Sequence, residues 1–333
     1  MLFIYNLVFF ISNLSFSMTY SLSFWDSTNL IIASEIALIV SALILIIFLV
    51  NKYRTARRLL EENNRALEMI ERQNIILRQK EKDITDSLIY AQRIQEARLP
   101  SEEYFRKHFP SSFIFFKPRD IVSGDFYLMG EKEEWVYIVA ADCTGHGISG
   151  ALMSMIGMEI IEKAITECDI TKPSAILSYI NESLEKTFSR EKSFGDAVMD
   201  GMDIGLCAIN KKEKKIIYSG ALFPMYVISD NNLTQIKGDK IIIGMNPDRD
   251  PYTDHEISIK DNDILYLFSD GYADQFGGAE NKKFMYRRFR YLLLNIHKFN
   301  AEDQKLILEE NLDNWMGDSQ QVDDIMIIGF KPL

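Results

Sequence analysis

The chain carries 333 residues, 47% of them hydrophobic, with a formal net charge of −11. That size and apolar content support one membrane segment and a domain with a real core, while the acidic balance speaks against nucleic acid as a partner. Cys143, Cys168 and Cys207 are too few and too scattered for a thiolate metal cluster or a disulfide framework, which suits a reducing compartment.

Residues 1–27 form an apolar N-terminal segment with scattered Ser and Asn. No Lys or Arg precedes the run, so it reads either as a weak signal or as a first membrane segment. Residues 28–51 hold a clearer transmembrane helix. Ile31 to Val50 is apolar apart from Ser34, Glu35 and Ser41, long enough to cross a hydrocarbon layer of roughly 30 Å. Lys52, Arg54, Arg57 and Arg58 follow at once and set the C-terminal side in the cytoplasm. The expected location is the inner or cytoplasmic membrane, with the main domain cytoplasmic. The outer stretch, Thr19 to Leu30, is too short for a folded sensor.

Residues 52–100 read as a helical coiled-coil linker, with no Gly and no Pro before Pro100. Leu60, Leu67, Asn74, Glu81 and Leu88 share one heptad position, and Asn63, Ile70, Leu77, Ile84 and Ala91 fall three residues later. A homodimer through residues 57–98 is expected, either as a signalling rod or as a passive spacer.

Residues 101–333 form the last domain. Phe113–Phe116 is a short strand, and Ile121–Leu128 and Trp135–Ala141 make a hairpin around Gly130 and the EKEE turn. Ile148–Ile165 is a helix whose apolar face carries Leu152, Ile156, Ile160 and Ala164. Another helix runs from Pro173 to about Phe188, and Ser189–Met202 is a charged loop, a candidate flap over substrate. Strands follow over Asp203–Ile209, Lys215–Ser219, Met225–Ser229, Ile241–Gly244, Glu256–Ile259 and Asp263–Phe268. Helices over Phe284–Ile296 and Ala301–Trp315 precede a closing strand, Ile325–Phe330. Many antiparallel strands with few helices predict an α+β fold, an antiparallel β-sandwich flanked by helices.

The chemistry gathers at strand ends. Asp142 ends the strand in AADCTGHGISGALMS, and Gly145 and Gly147 let the backbone turn tightly after it. Asp125 stands in SGDFY, Asp270 in FSDG, and Asp323 and Asp324 in QVDDIMII. A single aspartate of this kind is more often a turn cap, but several at matching strand ends are what hard divalent cations such as Mg²⁺ or Mn²⁺ require. Two such ions about 4 Å apart acidify a shared water and offset charge on phosphoryl oxygens. Asp142 is the expected bridging ligand. Asp270 and Asp323 complete one metal, Asp125 supports the other, and the main-chain carbonyl of Cys143 offers a further oxygen.

RDIVSGDFY (Arg119–Tyr127), DCTGHGISGAL (Asp142–Leu152), SDG (Ser269–Gly271) and VDDI (Val322–Ile325) together resemble the ordered motifs of the SpoIIE-like branch of the metal-dependent (PPM-type) serine/threonine protein phosphatases. The resemblance spans about Tyr104 to Phe330, and SLIYAQRIQEARLP upstream is similar to the helical linker common in bacterial members. It implies a β-sandwich flanked by helices, two divalent cations (Mn²⁺ or Mg²⁺), and hydrolysis of phosphoserine or phosphothreonine in proteins. The implied substrate is a STAS-domain antagonist of an anti-sigma factor, within bacterial partner switching. Asp125, Asp142, Asp270 and Asp323 inherit the acidic metal-site roles, and Asp324 follows as the second acidic residue of its motif. The helix after the metal loop is a place where such enzymes are regulated, and the coiled coil offers a route to it.

Two departures stand out. Ser123 occupies a position that is commonly glycine, and Thr144 falls where eukaryotic members carry a histidine proposed as a general acid. His146 is a candidate for that proton, with a structural hydrogen bond as the rival role. Arg119 can pair with two phosphate oxygens or form a salt bridge. A catalytically inactive phosphoprotein-binding scaffold and, less favoured, a metal-dependent phosphodiesterase are the alternatives.

Overall fold

A computed structural model describes residues 9, 27–168, 170–189, 201–244 and 252–332. Apart from Phe9, the apolar segment at residues 1–18 lies outside them, as does most of the expected flap loop. The chain divides into two compact units, Met1–Lys82 and Asp83–Leu333.

One unbroken helix, α1 (Ser27–Glu96), carries both the apolar span and the heptad region. Its lack of Gly and Pro explains the continuity. The apolar part is long and hydrophobic enough to cross a membrane and none of it is buried. Leu60, Leu67, Ile70, Leu77 and Ile84 of the heptad pattern are likewise exposed.

The second unit begins within the last turns of α1. After it come α2 (Glu102–His108) and β1 (Ser112–Lys117). The hairpin is β2 (Phe126–Lys132) and β3 (Trp135–Cys143), followed by α3 (Gly147–Thr166) and α4 (Pro173–Ser189). Next are β4 (Met202–Asn210), β5 (Lys215–Ala221), β6 (Met225–Ser229) and β7 (Asn232–Ile236). The chain ends with β8 (His255–Ser258), β9 (Ile264–Phe268), the short α5 (Gly271–Asp274), and a small ribbon of β10 (Phe276–Gly277) and β11 (Lys282–Lys283). Helices α6 (Tyr286–Ile296) and α7 (Ala301–Met316) precede β12 (Ile325–Phe330).

Two five-stranded antiparallel sheets result, ordered β1-β12-β9-β6-β7 and β2-β3-β4-β5-β8. Alternation along each strand sorts side chains into layers. Ile138 and Ala140 of β3, Cys207 and Ile209 of β4, Leu265 and Leu267 of β9, and Met326 and Ile328 of β12 fill the space between the sheets. Tyr137, Val139 and Ala141 face outward onto α3 and α4, while Tyr266, Phe268, Ile325 and Ile327 face outward onto α6 and α7. Because helices cover both outer faces, the central strands read as continuous apolar runs. The expected α+β sandwich with external helices is what forms.

Four differences from the sequence reading have local causes. Ile121–Asp125 is a loop rather than the start of a strand, because its main chain is held by side chains from α1 and from the segment before β12. Ile241–Gly244 provides only a bridge, Met202↔Ile243, instead of a strand. Strand β7 was not anticipated, although Asp230 and Asn231, both at positive φ (50° and 64°), form the two-residue turn that hairpins favour. The buried face of α3 is rotated from the expected one: the expected Ala164 is inside, but it is joined there by Gly150, Met153, Gly157 and Ile161, whereas Leu152 is 63% exposed. Gly150 and Gly157 set that phase, since a Cβ on either would stand 2.5 Å from the Gly145 carbonyl oxygen or 2.8 Å from Met202 Cε.

Candidate metal centre

The same alternation places the acidic residues. Asp142 continues the Ile138–Ala140 row of β3 one step past the apolar filling. Asp125 stands just before β2, Ser269 and Asp270 follow β9, and Asp323 and Asp324 precede β12. All of these positions lie at one end of the space between the sheets, where side chains meet instead of packing against helices.

Two of the carboxylates are already engaged. Asp125, 1% exposed, accepts a 2.6 Å hydrogen bond from Ser269 Oγ, and the same hydroxyl accepts from the Met326 amide. That chain ties the β2 end of one sheet to the β9–β12 pair of the other. Asp324, 4% exposed, accepts from the amides of Arg119 and Gly124, both at 2.7 Å. Both of its oxygens thus hold the loop that carries Asp125. Asp323 accepts from the Asp324 amide through one oxygen.

Asp142 is paired in register with Asp203 of β4. Directly opposed residues of an antiparallel pair project to the same side with Cβ atoms about 5 Å apart, so Asp203 joins the cluster. The sequence pattern marks Asp203 only as the start of a strand and so misses this role. The available signal was its position, a charged residue at the end of an apolar strand neighbouring the Asp142 strand.

Crowding of like charges shows in the proton affinities. Burial, followed by Asp270, Asp323, Asp203 and Asp324, holds Asp142 well above the usual carboxylate range. Burial and then Asp142 raise Asp125, against the opposing effect of the Ser269 hydroxyl. Burial and then Asp270 push Asp203 up to about 6. Asp270 is also pushed to about 6 by burial and then by Asp323 and Asp274, with Lys283 opposing; the residue itself is solvent-exposed, so water screens much of this effect. Asp323 is raised mainly by burial, while Arg119 and His146 pull it down. A group of carboxylates that raise one another is one that a cation relieves.

The donor set fits hard divalent ions: all oxygen, mostly carboxylate, and reaching an open end. Among the described residues, no three His, Cys, Asp or Glu side chains already converge closely enough to hold an ion as they stand. Asp142, Asp203, Asp270 and Asp323 have oxygens left to offer, as does Asp125 through the oxygen that Ser269 does not take. The Cys143 carbonyl faces Gly124, where a Cβ would stand 3.3 Å from it and 2.9 Å from the Gly145 carbonyl. Only glycine therefore lets the two motif loops close on one another. Gly145 and Gly147 adopt φ of 87° and 62°, the left-handed region that glycine enters without strain.

The remaining expected residues lie at the rim. Arg119 donates from Nη1 to the Val322 carbonyl (3.0 Å), and its Nη2 lies 2.9 Å from His146 Nδ1 and 3.3 Å from Asp120. With the guanidinium donating, Nδ1 is the acceptor and the ring proton sits on Nε2. His146 is the residue before α3 and gives no side-chain cap to it. Thr144 Oγ1 accepts from the Gly201 amide at 3.0 Å, a structural use of the position. Ser123 is fully buried: its amide donates to Gln95 Oε1 at 3.0 Å and its carbonyl accepts from Gln95 Nε2 at 2.7 Å. The end of α1 is thereby fixed to the first motif loop, and Gln95 Nε2 also reaches Ser154 Oγ of α3 at 2.7 Å.

The family model described as Stage II sporulation protein E (SpoIIE) matches residues 132–332. This chain belongs to the SpoIIE family. The SiaA PP2C domain of Pseudomonas aeruginosa is 32% identical, with a TM-score of 0.68 over 75% of this chain and 98% of that one. The PP2C phosphatase domain of SpoIIE from Bacillus subtilis superimposes with a TM-score of 0.54 at 16% identity, over 66% of this chain and 62% of that chain, and so shares the fold. Phosphoserine phosphatase RsbU of Bacillus subtilis (strain 168) is 27% identical over 161 residues, 47% of this chain and 44% of that protein. The chain therefore spans less than half of the length of that relative.

Proposed function

We propose that this chain is a membrane-tethered, divalent-metal-dependent phosphatase acting on phosphoserine or phosphothreonine in a partner protein. The observation that carries the reading is the convergence of aspartates from both sheets at one end of the sandwich, in a member of the SpoIIE family. Asp142 is the central ligand, supported by Asp270, Asp323 and the Cys143 carbonyl, with Asp203 added to the set. Asp125 supports the second position through the oxygen that Ser269 does not occupy, and Asp324 holds the loop rather than the ion. The ions, when bound, supply a nucleophilic water at neutral pH and offset phosphoryl charge. Arg119, anchored by Val322 and close to Asp120 and His146, is positioned to orient phosphate oxygens at the rim. His146, with Nδ1 accepting from Arg119, offers its Nε2–H at that rim as a hydrogen-bond donor to the substrate phosphate.

The partner is a phosphoprotein of the STAS-domain, anti-sigma antagonist type in partner-switching signalling, as the family resemblance implies. RsbU carries the description of a phosphoserine phosphatase, which supports a serine-linked substrate. Apolar α1 residues anchor the chain in the cytoplasmic membrane, with the phosphatase unit on the cytoplasmic side. The exposed heptad residues between 57 and 98 pair with a second copy. Full-length chain in lipid nanodiscs should release phosphate from a phosphoserine protein only with Mn²⁺ or Mg²⁺, and Asp142→Asn and Asp270→Asn should each abolish release. An intact chain that binds the phosphoprotein without turnover at any metal concentration would make it a scaffold instead.

A further inference from the structure

Beside the acidic end lies an open pocket of different character. Its wall carries Lys237, Lys240 and Arg290, and its floor Leu222 and Tyr286. Arg290 is set in place by neutral groups: Nε donates to the Tyr226 hydroxyl at 2.9 Å, Nη2 donates to Gln235 Oε1 at 2.5 Å, and the guanidinium stands 5.4 Å from the Tyr226 ring centre. Neither lysine has an ion-pair partner among the described residues. The nearest carboxylate in sequence, Asp239, is occupied by the amide and hydroxyl of Thr253 at 2.7 and 3.0 Å. Three cations, none of them ion-paired among the described residues, form a local basic wall beside the Asp239 carboxylate on a chain of net charge −11.

The apolar part is held in an unusual backbone state. Leu222 has φ of 52° and Met285, next to Tyr286, has φ of 74°, a region that bulky residues rarely occupy. Both are nonetheless exposed, by 42% and 56%, and both are fixed there by main-chain bonds, Leu222 N–H to the Asp239 carbonyl and Met285 N–H to the Ala273 carbonyl, each 2.7 Å. Strain that the surroundings enforce on exposed apolar residues is a mark of a functional surface.

The pocket adjoins the carboxylates. Leu222 bridges Ile204, the residue after Asp203. The phenol of Tyr286 is held above its ordinary range first by burial and then by Asp270 and Asp274, with Asp142 contributing. An anionic protein approaching an acidic enzyme is repelled overall, and a basic wall next to the reacting centre steers it locally.

We infer that the Lys237–Lys240–Arg290 pocket docks an acidic, partly apolar segment flanking the phosphorylated residue of the protein substrate. This rests on the phosphatase reading of the neighbouring site. Carboxylates of the segment pair with the three cations, and an apolar side chain covers Leu222 and Tyr286.

The test uses the full chain in nanodiscs with three probes: a phosphoserine peptide flanked by Asp, Glu and Leu, the same peptide flanked by Lys, and p-nitrophenyl phosphate. In the Lys237→Glu/Lys240→Glu variant, kcat/KM for the acidic peptide should fall about five- to tenfold, mainly through KM. The Lys-flanked peptide should improve, and p-nitrophenyl phosphate, too small to reach the wall, should turn over unchanged. Leu222→Ser should raise KM for the acidic peptide alone. An unaltered acidic peptide, or an equal loss on p-nitrophenyl phosphate, would overturn the assignment. If the wild type releases phosphate from none of the probes, the phosphatase reading fails separately. Fluorescence anisotropy of the labelled acidic peptide then decides the docking: binding weakened by the charge reversal supports it, and binding that is absent or unaffected overturns it.

Discussion

Replacing Asp203 by asparagine removes one charge from the cluster while keeping the shape of the side chain. Burial and Asp270 move this carboxyl from 3.8 to about 6, which corresponds to about 3 kcal/mol when ionised. Asp203 is half-buried, and solvent screening reduces the figure to about 1–2 kcal/mol. The sign follows from the proton balance. The folded state holds the proton at higher pH than the unfolded state, so stability is greatest below about pH 4 and is lost as pH rises through about 6. In EDTA at pH 7.5, Asp203→Asn should therefore melt higher than wild type, by about 2–8 °C for a unit of this size. At pH 4 the gain should vanish. With Mn²⁺ the order should reverse, because the variant has lost an oxygen donor, and calorimetric titration should show weaker manganese binding. Equal melting points in EDTA at pH 7.5 would refute the placement of Asp203 among interacting carboxylates.

Asp324→Asn should destabilise the chain by about 2–3 kcal/mol with or without metal, because an amide group accepts only one of the two N–H bonds made by Arg119 and Gly124; chemical denaturation in EDTA checks this. Ser269→Ala should cost about 2–4 kcal/mol, since it strips the buried Asp125 of its donor and the Met326 amide of its acceptor, and raising the pH should deepen the loss. Gln95→Leu should leave the Ser123 amide unpaired and its carbonyl with only the 3.4 Å bond from Ser154 Oγ, cost about 1–3 kcal/mol, and speed hydrogen exchange at the Ser123 amide. Gly271→Ala should fail to give a stable fold, because its Cβ would stand 2.0 Å from the Asp324 carbonyl oxygen; yield and melting temperature report it.

Much of this protein was legible from local pattern. The period of the apolar residues located most strands and all the long helices, because burial on one or two faces leaves its mark every two or every 3.6 residues. The absence of Gly and Pro from Lys52 to Leu99 gave the continuous helix. Glycines and aspartates at strand ends marked Asp125, Asp142, Asp270 and Asp323 as a set, since turn chemistry and hard-ion chemistry both draw on those residue types. Tertiary structure decided the rest. The register of β3 on β4 brought Asp203 opposite Asp142, and register depends on contacts between strands about 60 residues apart. The division of labour within Asp323–Asp324 followed from which carboxylate met two main-chain amides roughly 200 residues upstream. The inward face of α3 was set by glycines that admit the Gly145 main chain at Gly150 and the Met202 and Phe126 side chains at Gly157, a close approach that no hydrophobic period records. The basic pocket required β5, β7 and α6 to converge. Sequence carries short-range periodicity and residue chemistry; pairing partners, packing phase and the meeting of distant charges are properties of the closed fold.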